Sequence, residues 1–174
     1  IVAFVLAFTS SSLKDIQTKN VELDKMKQIL GALHVDTKGQ DAEELYKKYV
    51  KQDQILDANG NVVEEKGGFY NVQSKDKLSL FIAEVDGQTK YIIPLNGNGL
   101  WGAIWGYVAL DADKNTVYGT YFSHAGETPG LGAEIATEKF QKPFEGKHIK
   151  KNDQVVSIAV VKPGKVADGQ DYVD

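Results

Sequence analysis

The sequence predicts an α+β domain built on a largely antiparallel sheet. Three observations carry that prediction. Helical periodicity is confined to the first fifty or so positions. Strand-like runs joined by short turn signals fill the middle of the chain. Only one further helix is expected, a short one after a glycine-rich string. Strands segregated from helices in this way argue for α+β rather than alternating α/β.

The elements follow in order. From 13 to 33 the apolar residues Ile16, Leu23, Met26, Ile29, Leu30 and Leu33 recur mostly at three- and four-residue spacings, with Lys and Asp between them. This predicts an amphipathic helix, weakened near its end by Gly31. Asp41, with Glu44 three residues on, is an N-cap signal, so a second helix is expected from 41 to about 51. Asn59-Gly60 between Ile55-Leu56 and Val62-Val63 marks a hairpin. Asp86-Gly87 between the runs 78–85 and 88–93 marks a stronger one, and Pro94 is expected to end the second strand or place it at an edge. The runs 105–110 and 116–122, rich in aromatic and β-branched residues, predict another pair of strands. A short helix is expected from 133 to 141, stopped by Pro143, and a last strand from 155 to 161.

Composition narrows the function. The 174 residues are 42% hydrophobic and 25% charged, enough for one domain with a real core. Lys+Arg 20 against Asp+Glu 24 gives a net charge of −4, which argues against nucleic acid as a partner. With no cysteine, disulfides, thiolate catalysis, iron–sulfur ligation and Cys-based zinc sites are excluded for these residues. The three histidines, His34, His124 and His148, lack the close spacing of a helical metal site. There is no Gly-x-Ser-x-Gly motif, and the adjacency of Ser123 and His124 does not by itself make a nucleophile and base. The first eight residues are apolar and shorter than the ~20 that a bilayer requires. They read either as a core element or as the end of a membrane-spanning helix.

The chemistry concentrates between 96 and 135. Asn96-Gly-Asn-Gly-Leu-Trp-Gly102 and Ser123-His-Ala-Gly-Glu-Thr-Pro-Gly-Leu-Gly132 are both glycine-dense and follow strand-like runs. Glycine lets backbone approach a ligand, but it also serves ordinary strand-end turns. In the second string Pro129-Gly130 are the favoured centre of a type II turn, and Thr128 is pushed toward extended geometry. The turn is expected to be rigid and to present the first amides of the following helix, from Gly132, to an electron-rich edge. His124 and Glu127 flank it, and Trp101 lies in the first loop.

These strings, with Tyr107-Val-Ala-Leu-Asp111 between them and Phe140-Gln-Lys-Pro-Phe-Glu-Gly-Lys147 after them, resemble the FMN-binding domain family. That family contains the C subunits of the sodium-pumping NADH:quinone reductases and the G subunits of the ferredoxin:NAD oxidoreductase complexes. The Gly-Leu-Trp portion and the 140–147 stretch favour the sodium-pump branch. The resemblance implies an FMN-carrying electron-transfer subunit of a membrane complex that oxidises NADH, reduces quinone and exports sodium ions. The ferredoxin-linked complex and a membrane-tethered flavin-binding regulatory domain are the alternatives.

It further implies a single N-terminal transmembrane helix in the inner membrane, of which residues 1–12 would be a remnant. Residues 13–174 would form a periplasmic FMN domain, with the other subunits of the redox complex as partners. The family esterifies FMN to a threonine in a Ser-Gly-Ala-Thr type motif, expected shortly after Asp168-Gly169. The sequence ends before that motif, so no covalent acceptor is assigned here, and the fragment is expected to carry no covalent flavin. The expected flavin-lining residues are Trp101, His124, Glu127, Thr128, Pro129, Gly130, Leu131 and Gly132. No catalytic base and no metal ligand is expected.

Overall fold

A computed structural model describes residues 2–69 and 74–174, with the side chains of 3–12 outside the description. The chain opens with α1, Val2–Ala32, one continuous helix of 31 residues. It is longer than periodicity predicted because the apolar run joins the amphipathic stretch without a break. Among its described side chains, those that pack are in the last turns. Gln28, Ile29, Leu30, Ala32 and Leu33 are buried, whereas Leu13 and Ile16 are exposed. The helix ends with His34 in the left-handed region at φ 59°. The His34 amide donates to Gly31 O and the Val35 amide to Leu30 O, both at 3.0 Å, which satisfies carbonyls of the last turn. Among the described residues no helix is long and apolar enough to cross a membrane. If residues 1–12 are the remnant of a transmembrane helix, Ser10, Ser11 and Ser12 are expected near the lipid headgroups, and their side chains lie outside the description.

The second helix, α2 (Ala42–Tyr49), is capped as predicted: the Asp41 carboxylate accepts from the amides of Glu43 and Glu44. Six strands follow: β1 (Val50–Leu56), β2 (Val62–Glu64), β3 (Leu78–Val85), β4 (Gln88–Asn98), β5 (Ala103–Leu110) and β6 (Val117–His124). They form one sheet in the order β2-β1-β3-β4-β5-β6, with every pairing antiparallel. Both hairpins read from Asn59-Gly60 and Asp86-Gly87 are present.

Pro94 does not end its strand. β4 runs on to Asn98, and Pro94 pairs with Tyr107 of β5. The β3 ladder reaches only as far as Phe81↔Ile92, so the proline lies beyond it and interrupts no β3 pairing.

The sheet is covered on both faces. On one, Phe81, Ala83, Val85, Ile92, Tyr107 and Ala109 pack against Ile29 and Leu30 of α1, Leu33 just after it and Tyr46 of α2. On the other, Tyr91, Ile93, Val108, Leu110, Val117 and Phe122 pack against Phe140, Phe144, Ile149, Ile158 and Val173 from the chain after β6. Residues 91–93 and 107–110 alternate between the two faces, as the period of a strand requires.

That covering segment departs from expectation twice. In place of one helix over 133–141, a 3₁₀ turn Gly132–Ala136 is followed by a four-residue α3, Glu138–Gln141, and a second 3₁₀ turn, Lys142–Phe144. Thr137 causes the break. Its backbone is extended (φ −88°, ψ 149°) and its hydroxyl accepts from the Phe140 amide as a fresh N-cap. The predicted strand over 155–161 divides at Ser157, which has φ 66°. Gln154–Val155 (β8) pairs with Lys150–Lys151 (β7), while Ile158–Val160 (β9) pairs in parallel with Asp171–Val173 (β10). Neither pair belongs to the main sheet.

Candidate functional site

The two glycine-dense strings meet at one end of the sheet. The first three residues of the first string are strand: Gly97 pairs with Ile104 and Asn98 with Ala103. The loop proper is the four-residue turn 99–102, closed by the Gly99 amide donating to Gly102 O at 2.8 Å. Beside it β6 ends with His124 paired to Ile104. One further bond, from the Ala125 amide to Ala103 O at 2.9 Å, carries the second string along the flank of the first.

The chain then turns as the sequence predicted. The Leu131 amide donates to Thr128 O at 3.1 Å across Pro129-Gly130, and Gly130 has φ 74°, the left-handed value that a type II turn needs at its third residue. The row of free amides expected from Gly132 onward is incomplete. Those of Leu131 and Ala133 are both spent on Thr128 O, because a 3₁₀ turn follows closely enough for its amides to reach back.

The eight predicted residues fall into three groups. Trp101 and Leu131 stand out at the tips, 70% and 72% exposed, together with Leu100 at 82%. Thr128, Pro129 and Gly130 form the exposed turn. Glu127, His124 and Gly132 face inward to the loop junction. Glu127 is only 9% exposed, and its Oε1 accepts the Trp101 amide at 2.8 Å. The Glu127 amide in turn donates to Nδ1 of His124 at 3.2 Å, so the His124 ring carries its proton on Nε2 in this arrangement. Gly132 packs directly on the Glu127 carboxylate.

Beside the loops, on the face away from α1, lies a concavity of about 260 Å³. Its walls include Leu95, Ile104, Phe122, Ile135, Phe140 and Val160. Phe122 stacks edge-on to Phe140 and to Phe144, with ring centres 6.0 and 5.4 Å apart. Gln141 fixes this corner by donating from Nε2 to both Phe122 O and Ile135 O, each at 3.1 Å.

Sequence reasoning missed these wall residues. They come from three strands and the segment after them, and alternation along a strand marks each only as a core position. A larger cavity, about 480 Å³, lies on the opposite face and includes Asp24, Lys25, Gln28, Phe69, Phe81 and Trp105 in its lining. Leu95, Asn96 and Trp105 line both cavities, whereas none of Leu100, Trp101 and Leu131 lines the larger one.

The smaller concavity suits a flat aromatic ring. Its lining is almost wholly apolar, and Gly97 contributes no side chain to obstruct entry. It holds no lysine, and all twenty basic residues of the chain are lysines, so no cation among the lining residues meets a phosphate. Among the described residues no cluster of three or more His, Asp or Glu suits a metal ion.

Comparison with known proteins points the same way. A family model described as an FMN-binding domain matches residues 99–171, from the β4–β5 turn to the start of β10. The C subunit of the Na(+)-translocating NADH-quinone reductase of Haemophilus ducreyi is 30% identical over 198 residues, covering 100% of this chain and 77% of that protein. Its counterpart from Vibrio vulnificus is 27% identical, covering 100% and 78%. The crystal structure of the Parabacteroides distasonis counterpart superposes with a TM-score of 0.88 at 45% identity, over 93% of this chain and 83% of that one. The Shewanella oneidensis NqrC structure shares the fold, with a TM-score of 0.74 at 23% identity over 90% of this chain and 83% of that one.

Proposed function

Since the chain belongs to the family of the C subunits of the Na(+)-translocating NADH-quinone reductases, we propose that it carries FMN and passes electrons within such an oxidoreductase complex. The observation that carries this reading is the pairing of exposed apolar tips, Leu100, Trp101 and Leu131, with an apolar concavity at the same end of the sheet. Bound FMN supplies the redox chemistry, and the protein supplies position and shielding.

Each residue then has a task. Ile104, Phe122, Ile135 and Phe140 offer an apolar seat for one side of the ring, and Trp101 and Leu131 exclude water at its margin. Thr128, on the exposed turn, offers its hydroxyl to a polar edge. The family resemblance implies that the phosphate end is held as a threonine ester, for which no acceptor is assigned here, and the lining offers no lysine to pair with it. An electron carrier requires no nucleophile or general base from the protein.

The reading extends to the complex. The partners are the other subunits of the reductase, whose overall reaction is NADH oxidation, quinone reduction and sodium export. The apolar first residues, on the same helix as α1, are assigned to a membrane anchor, with the domain on the periplasmic side of the inner membrane. Fractionation of the full-length gene product tests the anchor, and a soluble product would refute it. The flavin assignment is tested by adding FMN to the isotope-labelled chain. Resonances of 97–104 and 127–135 are expected to move, and movement confined to the cavity beside α1 would overturn it.

A further inference from the structure

Glu127 is out of place among its neighbours. Thr128, Pro129, Gly130 and Leu131 are all exposed, yet its carboxylate is buried. A buried carboxylate is unfavourable unless it is hydrogen-bonded. This one takes a charge-assisted bond from the Trp101 amide, across 26 residues of sequence. Two glycines make room for it. A Cβ on Gly99 would overlap Oε1, and a Cβ on Gly132 would lie 2.5 Å from Oε2. Gly99 belongs to the β4–β5 turn and Gly132 to the 3₁₀ turn after β6. Each oxygen therefore fills the space of a side chain missing from a different loop. His124 Nδ1 holds the Glu127 amide from the other side, so the backbone that aims the carboxylate is itself fixed.

We propose that Glu127 is a positioning residue: its carboxylate sets the spacing between the Trp101 tip and the Leu131 tip, and through them the seat of the flavin, without touching the flavin itself. The inference rests on the flavin reading above. Its physical basis is that the turns carrying Trp101 and Leu131 are each closed by a backbone bond of their own, Gly99 amide to Gly102 O and Leu131 amide to Thr128 O, and that the two turns meet at this carboxylate. Both tip side chains are largely in water, so packing does not hold them. The Trp101 amide is tied to Glu127, and Leu131 is flanked by Gly132, which lies against the same carboxylate. Glutamine keeps an acceptor at the Oε1 position, whereas alanine removes both the acceptor and the filled volume.

The test uses the full chain expressed without flavin, with FMN as the probe, and reads two signals. One is the Trp101 amide resonance in a ¹H–¹⁵N spectrum, which reports the bond from Glu127. The other is FMN affinity by fluorescence titration. Glu127→Ala is expected to shift the Trp101 amide upfield and to weaken FMN binding by about tenfold or more. Glu127→Gln is expected to restore both, with affinity within about threefold of the parent.

Gly132→Ala is expected to weaken binding on its own, but to add little in a chain that already carries Glu127→Ala, because the overlap partner is gone. The proposal is overturned if Glu127→Ala binds FMN like the parent, or if Glu127→Gln is no better than Glu127→Ala. It is also overturned if the Gly132 and Glu127 effects simply add. Should Glu127→Ala fail to fold, the glutamine variant and Gly132→Ala decide by the same readings. If FMN moves no resonance near either loop in the parent chain, the flavin reading itself has failed. The Trp101 amide shift then still reports whether Glu127 ties the loops.

Discussion

The two ends of strands β4, β5 and β6 treat charge and apolar surface in opposite ways. At the end where β4 begins, Lys90 is 3% exposed and fully engaged. Its Nζ lies 2.5 Å from Asp111 Oδ1, 3.0 Å from Gln88 Oε1 and 4.1 Å from the centre of the Tyr118 ring. The connections there, Asp86-Gly87 and the polar 111–116 turn, are ordinary solvated links. At the other end a carboxylate is also buried, but the side chains it organises are apolar and in water. A buried charge with its partners in place stabilises an arrangement. An exposed apolar cluster gains nothing for the fold and marks a surface meant to be covered. The contrast separates the end of the sheet that holds the domain together from the end proposed above to meet the flavin.

That contrast can be tested by substitution. The largest expected effect is at the structural end. Asp111→Ala strips the buried Lys90 ammonium of its carboxylate and is expected to cost about 3 kcal/mol in urea unfolding, with FMN affinity unchanged. A loss of FMN affinity there would break the distinction. At the ligand end, Trp101→Ala and Leu131→Ala are expected to change unfolding free energy by less than about 0.5 kcal/mol. FMN affinity is expected to fall about tenfold, equivalent to about 1.4 kcal/mol. A larger stability loss would make these tips part of the core.

Pro129→Ala is expected to cost about 0.4–1 kcal/mol by freeing the unfolded chain, while hydrogen exchange at Leu131 shows that the turn itself survives. The smallest effect is acid sensitivity, at Asp113 in the polar 111–116 turn and at Asp171. Asp113 is held below the ordinary aspartate range chiefly by the Thr116 hydroxyl, and Asp171 chiefly by the His148 amide. Near their ordinary value of 3.8 the unfolded chain therefore binds more protons than the folded one. The stability they contribute is complete above that pH and is lost as pH falls through the lower folded values. Asp171→Asn is expected to flatten the decline in urea midpoint below pH 4, where pH 4 is about the ordinary aspartate value.

What the sequence made legible was local. Asp41 caps α2, Asp86-Gly87 turns a hairpin and Pro129-Gly130 turns the second glycine string, because each signal acts on its immediate neighbours. Where a residue answers to something distant, the reading stopped. Glu127 looks like a loop carboxylate until the Trp101 amide is brought beside it by the β5–β6 pairing. Pro94 looks like a terminator until the short reach of β3 is known. Thr137 and Ser157 divide runs whose apolar spacing promised continuity, since a hydroxyl cap and a left-handed residue leave no mark on hydrophobic pattern. The concavity was invisible for the same reason: Leu95, Ile104, Phe122, Ile135, Phe140 and Val160 converge only through the fold. The family resemblance supplied the flavin, but not which side of the loops receives it.

The form of α1 has a mechanical consequence. A helix of 31 residues is about 46 Å long at 1.5 Å per residue, and among its described side chains the buried ones lie in its last turns. The grip there includes Trp105 on β5, whose Nε1 donates to Gln28 Oε1 at 3.1 Å. Two residues before Trp105 the same strand begins, directly after the turn that carries Trp101. A stiff rod is thus bolted to the strand that leads into the site. Rotation by about 5° at the bolt displaces the far end by about 4 Å over that length. Conversely, whatever grasps the Val2 end governs the heading of the loop tips with a long moment arm, and the domain is steered as on a stalk rather than trailed as on a string.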